Sequence, residues 1–170
     1  MRVYLLLGDI RPRKRRNSSA EKANRSKRHD RAFSRDWARP SARPSEIRKA
    51  KKDEWSNLQD LNNEVFIDNA KYDSDLIKNW AHSKQGEKYF KDLVNDPKSL
   101  CLVAENDLGE LVGYLAASPK PIEYRKSKYF EVDNMGVIPE YRSQGVGKKL
   151  MDRSMEWGRE NGFKKAYVCS

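Results

Sequence analysis

The stretch Gly136-Val137-Ile138-Pro139-Glu140-Tyr141-Arg142-Ser143-Gln144-Gly145-Val146-Gly147-Lys148-Lys149-Leu150 decides the fold. A strand exit leads into a tight turn, two glycines stand one residue apart, and Val146, Leu150, Met151, Met155 and Trp157 continue as a helical stripe. Strand, turn and helix in that order outline an anion site. The first turn of a helix carries amide hydrogens without intrahelical partners, and its dipole places partial positive charge there. Glycines at 145 and 147 let the backbone approach a phosphate without Cβ interference, and Lys148 and Lys149 add mobile charge. The GxxxxGK[ST] spacing of a Walker A loop is absent. Position 150 is Leu, so a GxGxxG dinucleotide turn is excluded too.

Working outward, Tyr129 to Val137 reads as the strand that enters this turn, and Asn161-Gly162 closes the helix that leaves it. Phe163 to Cys169 begins a further strand. Upstream, Leu100 to Ala104 and Leu111 to Ala117 form a hairpin around Asn106-Asp107-Leu108-Gly109. Before it, Trp55, Leu58, Leu61 and Val65 mark a helix with Asp53 as the expected N-cap. Residues 74–94 carry a second helical region, with Gly86 as the expected break and Pro97 as the stop. Ile47 to Ala50 is a short first strand. The order β-α-α-β-β-β-α-β predicts an α+β fold: a mixed, mostly antiparallel central sheet flanked by helices.

The chain is similar at this point to the GNAT superfamily of N-acetyltransferases. Arg142-x-x-Gly145-x-Gly147 resembles that family's pyrophosphate loop, and Val137-x-Pro139-x-Tyr141-Arg142 resembles the strand exit before it. The resemblance covers roughly residues 46–170 and implies an acyltransferase that moves the acetyl group of acetyl-CoA to a primary amine. It implies that Met135, Gly136 and Val137 supply backbone hydrogen bonds to the pantetheine arm. Arg142, Ser143, Gln144, Gly145, Val146, Gly147 and Lys148 would surround the pyrophosphate. Glu131 or Asp133 would act as the base that the protonated acceptor amine requires, and the Met135 amide would meet the developing oxyanion. By strand alternation Glu131 and Asp133 are expected on the same face as Met135 and Val137. Transfer is expected to be direct, since neither Cys101 nor Cys169 has a histidine near it in the pattern. The helix and strands that end the family's domain, with a tyrosine that often serves as general acid, have no counterpart before Ser170. The cleft is therefore expected to lack a wall, and the strand at 163–169 to leave a bare edge.

The remaining features bound the partners. The formal net charge of +10 sits wholly in residues 1–45, which hold 14 Lys/Arg against 4 Asp/Glu; residues 46–170 balance 21 against 21. Residues 1–45 read as a basic disordered tail and linker, too poor in large apolar residues to offset the entropy of ordering. Residues 11–43 are expected to make weak, non-specific, salt-sensitive nucleic-acid contacts. Two competing readings follow: a nucleic-acid-binding protein acting through that tail, and a catalytically inactive CoA-binding remnant. Two cysteines suit a reducing, cytoplasmic compartment, and no apolar run approaches the roughly 20 residues that span a bilayer. His29 and His82 join no cluster with metal-ligand spacing, so no metal is expected. A dimer is the one assembly expected. Trp55, Trp80, Tyr89 and Phe90, at helical intervals, are expected in the core rather than in a ligand site.

Overall fold

The computed structural model describes residues 4–7 and 44–169, with side chains over 46–168. The expected tail (residues 1–45), with its nucleic-acid contacts and His29, lies outside the described residues apart from Tyr4–Leu7 and Pro44 and Ser45, which begin a strand. Six strands form one sheet: β1 (Tyr4–Leu7), β2 (Pro44–Lys49), β3 (Leu100–Asn106), β4 (Leu111–Pro119), β5 (Tyr129–Val137) and β6 (Lys165–Cys169). They lie in the order β1-β6-β5-β4-β3-β2. Among the described residues only β5 and β6 pair in parallel; every other neighbour is antiparallel. The helix crossing between β5 and β6 is α3 (Val146–Glu160), while α1 (Trp55–Asn69) and α2 (Lys84–Asn95) precede the hairpin of β3 and β4.

Alternating side chains of the central strands split the core in two. Leu100, Leu102 and Leu115 pack with Phe130 and Val132 under Val146, Leu150 and Trp157 of α3. Cys101, Val103 and Tyr114 pack on the other face against Leu58, Leu61 and Val65 of α1 and Phe90 of α2. A sheet covered on both faces explains why β3 and β4 read as nearly continuous apolar runs.

Three local expectations are corrected. Asp53 does not cap α1: it lies in a short 3-10 turn, Lys52–Glu54, and the chain start is tied by Glu54, whose Oε2 accepts the Lys51 amide at 2.7 Å. Glu54 also pairs with Arg48 of β2, which binds Glu105 of β3 as well. The second helical region breaks at Ser83 rather than Gly86, because the Ser83 hydroxyl accepts the Gly86 amide at 3.1 Å and starts α2 there. Residues 70–79 before it form turns. Third, the far edge of β6 is not bare. Tyr4–Leu7, assigned from the sequence to the tail, pairs with Ala166–Cys169 through four register partners.

A buried polar bridge locks α1 to the sheet. Asn62 of α1 donates to the Tyr114 hydroxyl at 2.6 Å, and that hydroxyl donates to Asn134 of β5 at 2.7 Å. Tyr114→Phe should destabilise the fold by about 1–3 kcal/mol, the usual cost of leaving buried partners unpaired. Denaturant unfolding checks this; an unchanged midpoint would show the bridge to be energetically idle.

Candidate functional site

The pairing of β4 with β5 contains one irregularity. Ala116 lies opposite Asn134 and Ala117 opposite Val132, so Asp133 is an extra residue without a partner on β4. A bulge of this kind shifts the side-chain alternation by one. Before it, Phe130 and Val132 face α3. After it, Val137 packs in the α3 cluster, and the Met135 methyl comes within 4.0 Å of where a Cβ on Gly147 would stand. Glu131, Asp133 and Asn134 line a pocket on the opposite face, toward α1 and α2. The expectation that Glu131 and Asp133 share a face with Met135 and Val137 is therefore wrong, because period two holds only in an unbulged strand.

The bulge also marks where the sheet opens. β6 pairs with β5 only from Tyr129 to Val132. From Asp133 onward β5 has no strand neighbour on that side among the described residues. Hydrogen-bonded pairs alternate along an antiparallel ladder. The Ile138 amide donates to the Val112 carbonyl at 3.1 Å, which turns the polar backbone groups of Ile138 and Gly136 toward β4. Those of Met135 and Val137 then point into the opening, and Arg142 Nε finds the Val137 carbonyl there at 2.9 Å. Gly136, expected as a backbone ligand, has a different constraint. A Cβ at this position would lie 2.8 Å from the Tyr114 ring and 2.9 Å from Val65 Cγ1, so only glycine lets α1 seat against β5.

The loop after β5 makes a sharp turn into α3. Ser143 (φ 60°) and Gly145 (φ 80°) both adopt left-handed conformations, a costly state for serine that turns the chain sharply into α3. Gly145 occupies the N-cap of α3, and no side chain caps the helix. The first-turn amides of Val146, Gly147 and Lys148 are thus left as donors for an anion. Beyond its own chain neighbours no described atom lies within 4 Å of a Cβ built on Gly145, and outside the helix itself only the Met135 methyl reaches 4.0 Å at Gly147. Orphaned donors facing empty space suit a phosphate-bearing ligand. The side chains contribute less than the backbone. Val146 is buried under the sheet, Gln144 donates to the Glu140 carbonyl, and Lys148 pairs with Asp152. Arg142 is engaged as a brace, since besides Val137 it binds Asp68 at the end of α1. Lys71 and Arg142 together hold the Asp68 carboxyl below its ordinary range.

On the opposite face a pocket of about 470 Å³ is lined by Phe66, Asp75, Leu76, Ile77, Trp80, Tyr89, Glu131, Asp133 and Asn134. Trp80 and Tyr89, with ring centroids 5.6 Å apart, pack against the α1/α2 core as expected and also form a wall of the pocket. Phe90 is core as expected, and Trp55 lies under the Lys91 ammonium. The Tyr89 hydroxyl donates to Asp133 Oδ2 at 3.0 Å. Asp133 is exposed at the mouth of the pocket, and the protein packed around its carboxyl still raises its pKa by partial desolvation, which the Tyr89 hydrogen bond offsets in part. Glu131 is held by Lys120 at 2.6 Å, while its other oxygen, Oε1, is buried without a hydrogen-bond partner. Burial pushes the Cys101 thiol up to about 12, so it is protonated and inert near neutral pH. Among the described residues no group of His, Cys, Asp and Glu is placed to hold a metal, and no helix is long and apolar enough to cross a membrane. The sequence held no signal for Tyr89 or Lys120: an aromatic at helical spacing and a surface lysine acquire roles only when α2 and the chain after β4 meet β5 at Asp133 and Glu131.

The profile of the Acetyltransferase (GNAT) family matches residues 55–170. An uncharacterized N-acetyltransferase of Archaeoglobus fulgidus is 32% identical over 122 residues, which span 71% of this chain and 78% of that protein. Among solved structures, an acetyltransferase from Vibrio fischeri superposes with a TM-score of 0.58 at 21% identity, covering 73% of this chain and 94% of the other. An aminoglycoside N-acetyltransferase in complex with CoA gives a TM-score of 0.58 at 17% identity, covering 74% and 76%. At these identities the structural likenesses concern the fold.

A raised carboxyl pKa has a consequence for stability. The folded chain holds the Asp133 proton more tightly than the unfolded chain, so ionising Asp133 opposes folding above its folded-state pKa. Asp133→Asn should therefore melt higher than the parent near neutral pH, with the difference vanishing as acidification protonates the parent's carboxyl. Paired thermal melts across pH check this; a variant less stable at neutral pH would contradict it.

Proposed function

The chain belongs to the acetyltransferase (GNAT) family, and from that premise we propose that it transfers the acetyl group of acetyl-CoA directly to the nitrogen of a primary amine. The observation carrying this reading is the bulge at Asp133. It leaves Glu131 and Asp133 toward the pocket and returns Met135 and Val137 to the α3 face, with their backbone edge toward the opening beside β6, where the Val137 carbonyl accepts from Arg142 Nε. A proton acceptor and a groove for an extended acyl carrier thereby meet across one strand.

Acetyl-CoA supplies an acyl thioester whose carbonyl carbon accepts a nucleophile. In this reading the first-turn amides at Val146, Gly147 and Lys148 hold its pyrophosphate, with Ser143 to Gly145 shaping the loop. The backbone groups of Met135 and Val137 pair with the amide-bearing arm as a missing strand would. The Met135 amide polarises the carbonyl oxygen, a donor role that costs no reorganisation in a fixed strand. Arg142 positions the loop. The acceptor amine is protonated near neutral pH and attacks only after losing that proton. Asp133 Oδ1 receives it, since Oδ2 is occupied by the Tyr89 hydroxyl. Desolvation brings the basicity of Asp133 closer to the amine's than that of a free carboxylate. Glu131, neutralised by Lys120, serves as a second carboxylate that orients the ammonium. The inert Cys101 thiol accords with direct transfer.

Titration of the chain with acetyl-CoA in a thermal-shift experiment tests the cradle. Saturable stabilisation is expected, about 2.7 kcal/mol at a hundredfold excess over Kd. Gly147→Glu should abolish it without lowering the unliganded melting point, because there is room for a Cβ but an added carboxylate repels phosphate. A flat response from the folded parent would overturn the reading. With an active acceptor in hand, Asp133→Asn should lower kcat/KM by about 10²–10⁴-fold. The acid limb of the parent's profile should lie above the ordinary carboxylate range; a limb within it would remove Asp133 as the base.

A further inference from the structure

Four polar side chains from four elements link the core to Asp133: Asn62 of α1, Tyr114 of β4, Asn134 of β5 and Tyr89 of α2. Asn62 and Tyr114 are fully buried. A tyrosine hydroxyl has a single proton, so its direction follows from its neighbours. The Tyr114 hydroxyl accepts the Asn62 amide at 2.6 Å and gives its own proton to Asn134 Oδ1 at 2.7 Å. That contact fixes which end of the Asn134 amide is oxygen. The NH2 end then acts as the donor toward the Tyr89 oxygen. Tyr89 in turn gives its proton to Asp133 Oδ2 at 3.0 Å. Burial holds the Tyr89 phenol far above its ordinary range, so near neutral pH it keeps that proton and serves as a donor. Asp133 gains most from such a hold. As the extra residue of the bulge it has no partner on β4, and it is exposed at the pocket mouth.

We infer that Tyr89 is the positioning residue for Asp133, and that a one-way series of hydrogen bonds from Asn62 through Tyr114 and Asn134 commits its proton to Oδ2 and leaves Oδ1 to the acceptor amine. Its role in catalysis rests on the acetyl-transfer reading; its effect on the Asp133 carboxyl does not. Asn134 is the control point. Turned over, its oxygen would face Tyr89 and compete with Asp133 for the same proton. Tyr114 prevents this. Its hydroxyl already receives Asn62, so a reversed Asn134 would leave the buried Tyr114 proton without an acceptor. The usual penalty for such an orphan favours the observed orientation by roughly 5- to 150-fold. A side chain buried under α1 thereby decides the geometry of an exposed carboxylate on the far side of β5 from it in the chain of bonds.

Carbon-13 NMR of the aspartate carboxyls of the full chain across pH tests this without substrate, with Asp133→Asn identifying the Asp133 signal. Desolvation raises that carboxyl and the Tyr89 bond lowers it, so Tyr89→Phe should raise its midpoint further. Tyr114→Phe removes no bond of Asp133, yet should raise the midpoint too, because Asn134 is then free to turn its oxygen to Tyr89. Adding Asn134→Ala to Tyr114→Phe removes the competing oxygen and should return the midpoint toward the parent's. A merely loosened fold would not be repaired by a second truncation. In a Tyr89→Phe background, Tyr114→Phe should add no further shift. The charged groups around Asp133 are Glu131, Lys120, Asp75, Asp92 and Asp96, and every variant leaves them in place. With an active acceptor, the acid limb of kcat/KM should rise in Tyr89→Phe while KM for acetyl-CoA stays unchanged. An unmoved midpoint in Tyr89→Phe, or no rescue by Asn134→Ala, would overturn the inference. Should Tyr114→Phe fail to fold, the Tyr89→Phe midpoint and acid limb decide it. An acetyl-CoA thermal shift with an unmoved midpoint would reject only this inference. A moved midpoint with a flat acetyl-CoA response would reject only the acetyl-transfer reading.

Discussion

An antiparallel strand cannot take up one extra residue without reversing the side on which every later residue points. In β5 that residue is Asp133, and the arrangement of the site follows from it. Val132 and Phe130 close the core under α3, while Glu131, Asp133 and Asn134 gather on the other face. Beyond the bulge Met135 and Val137 return to the α3 face, next to the helix start where Gly145 and Gly147 leave the first-turn amides uncovered. The same residue ends the pairing with β6, so the sheet opens where the two faces exchange roles.

The site is assembled from groups that do not favour folding by themselves. Desolvation of Asp133 works against its ionised form, and one oxygen of Glu131 is buried with no donor. Ser143 occupies a backbone region that favours glycine. These costs are carried by a well-packed surround: two apolar clusters on opposite faces, and the Asn62–Tyr114–Asn134 chain that fastens α1 to β5 beside the carboxylates. Local violations of foldability concentrated beside one opening are the pattern expected where function constrains the chain.

Two polar braces show how a residue can serve a ligand site without facing it. Arg142 spans from the Val137 carbonyl to Asp68, so the loop that presents the amides is tied to both β5 and α1. Arg48 ties β2 to β3 and to the turn that starts α1, fixing the helix that carries Phe66 into the pocket. At the other edge, Tyr4–Leu7 supplies β6 with the hydrogen-bond partner that an exposed edge would lack.

Much of this was legible in the sequence, because it depends on local rules. The span of β5, the start of α3 at Val146, the closing Asn161-Gly162 turn and the mixed sheet follow from hydrophobic period, glycine placement and capping chemistry. The uncapped start of α3 follows too, since orphaned amides at a helix start are a property of the helix itself. Four things were decided only by tertiary structure. The bulge at Asp133 arises from the register between β4 and β5, which no single strand encodes. Tyr89 and Trp80 became walls because the 70–79 turns bring Leu76 and Ile77 to the same pocket. Gly136 proved to be a packing glycine because α1 crosses there. Tyr4–Leu7 became a strand because its partner, β6, lies about 160 residues along the chain, too far for any local pattern to register.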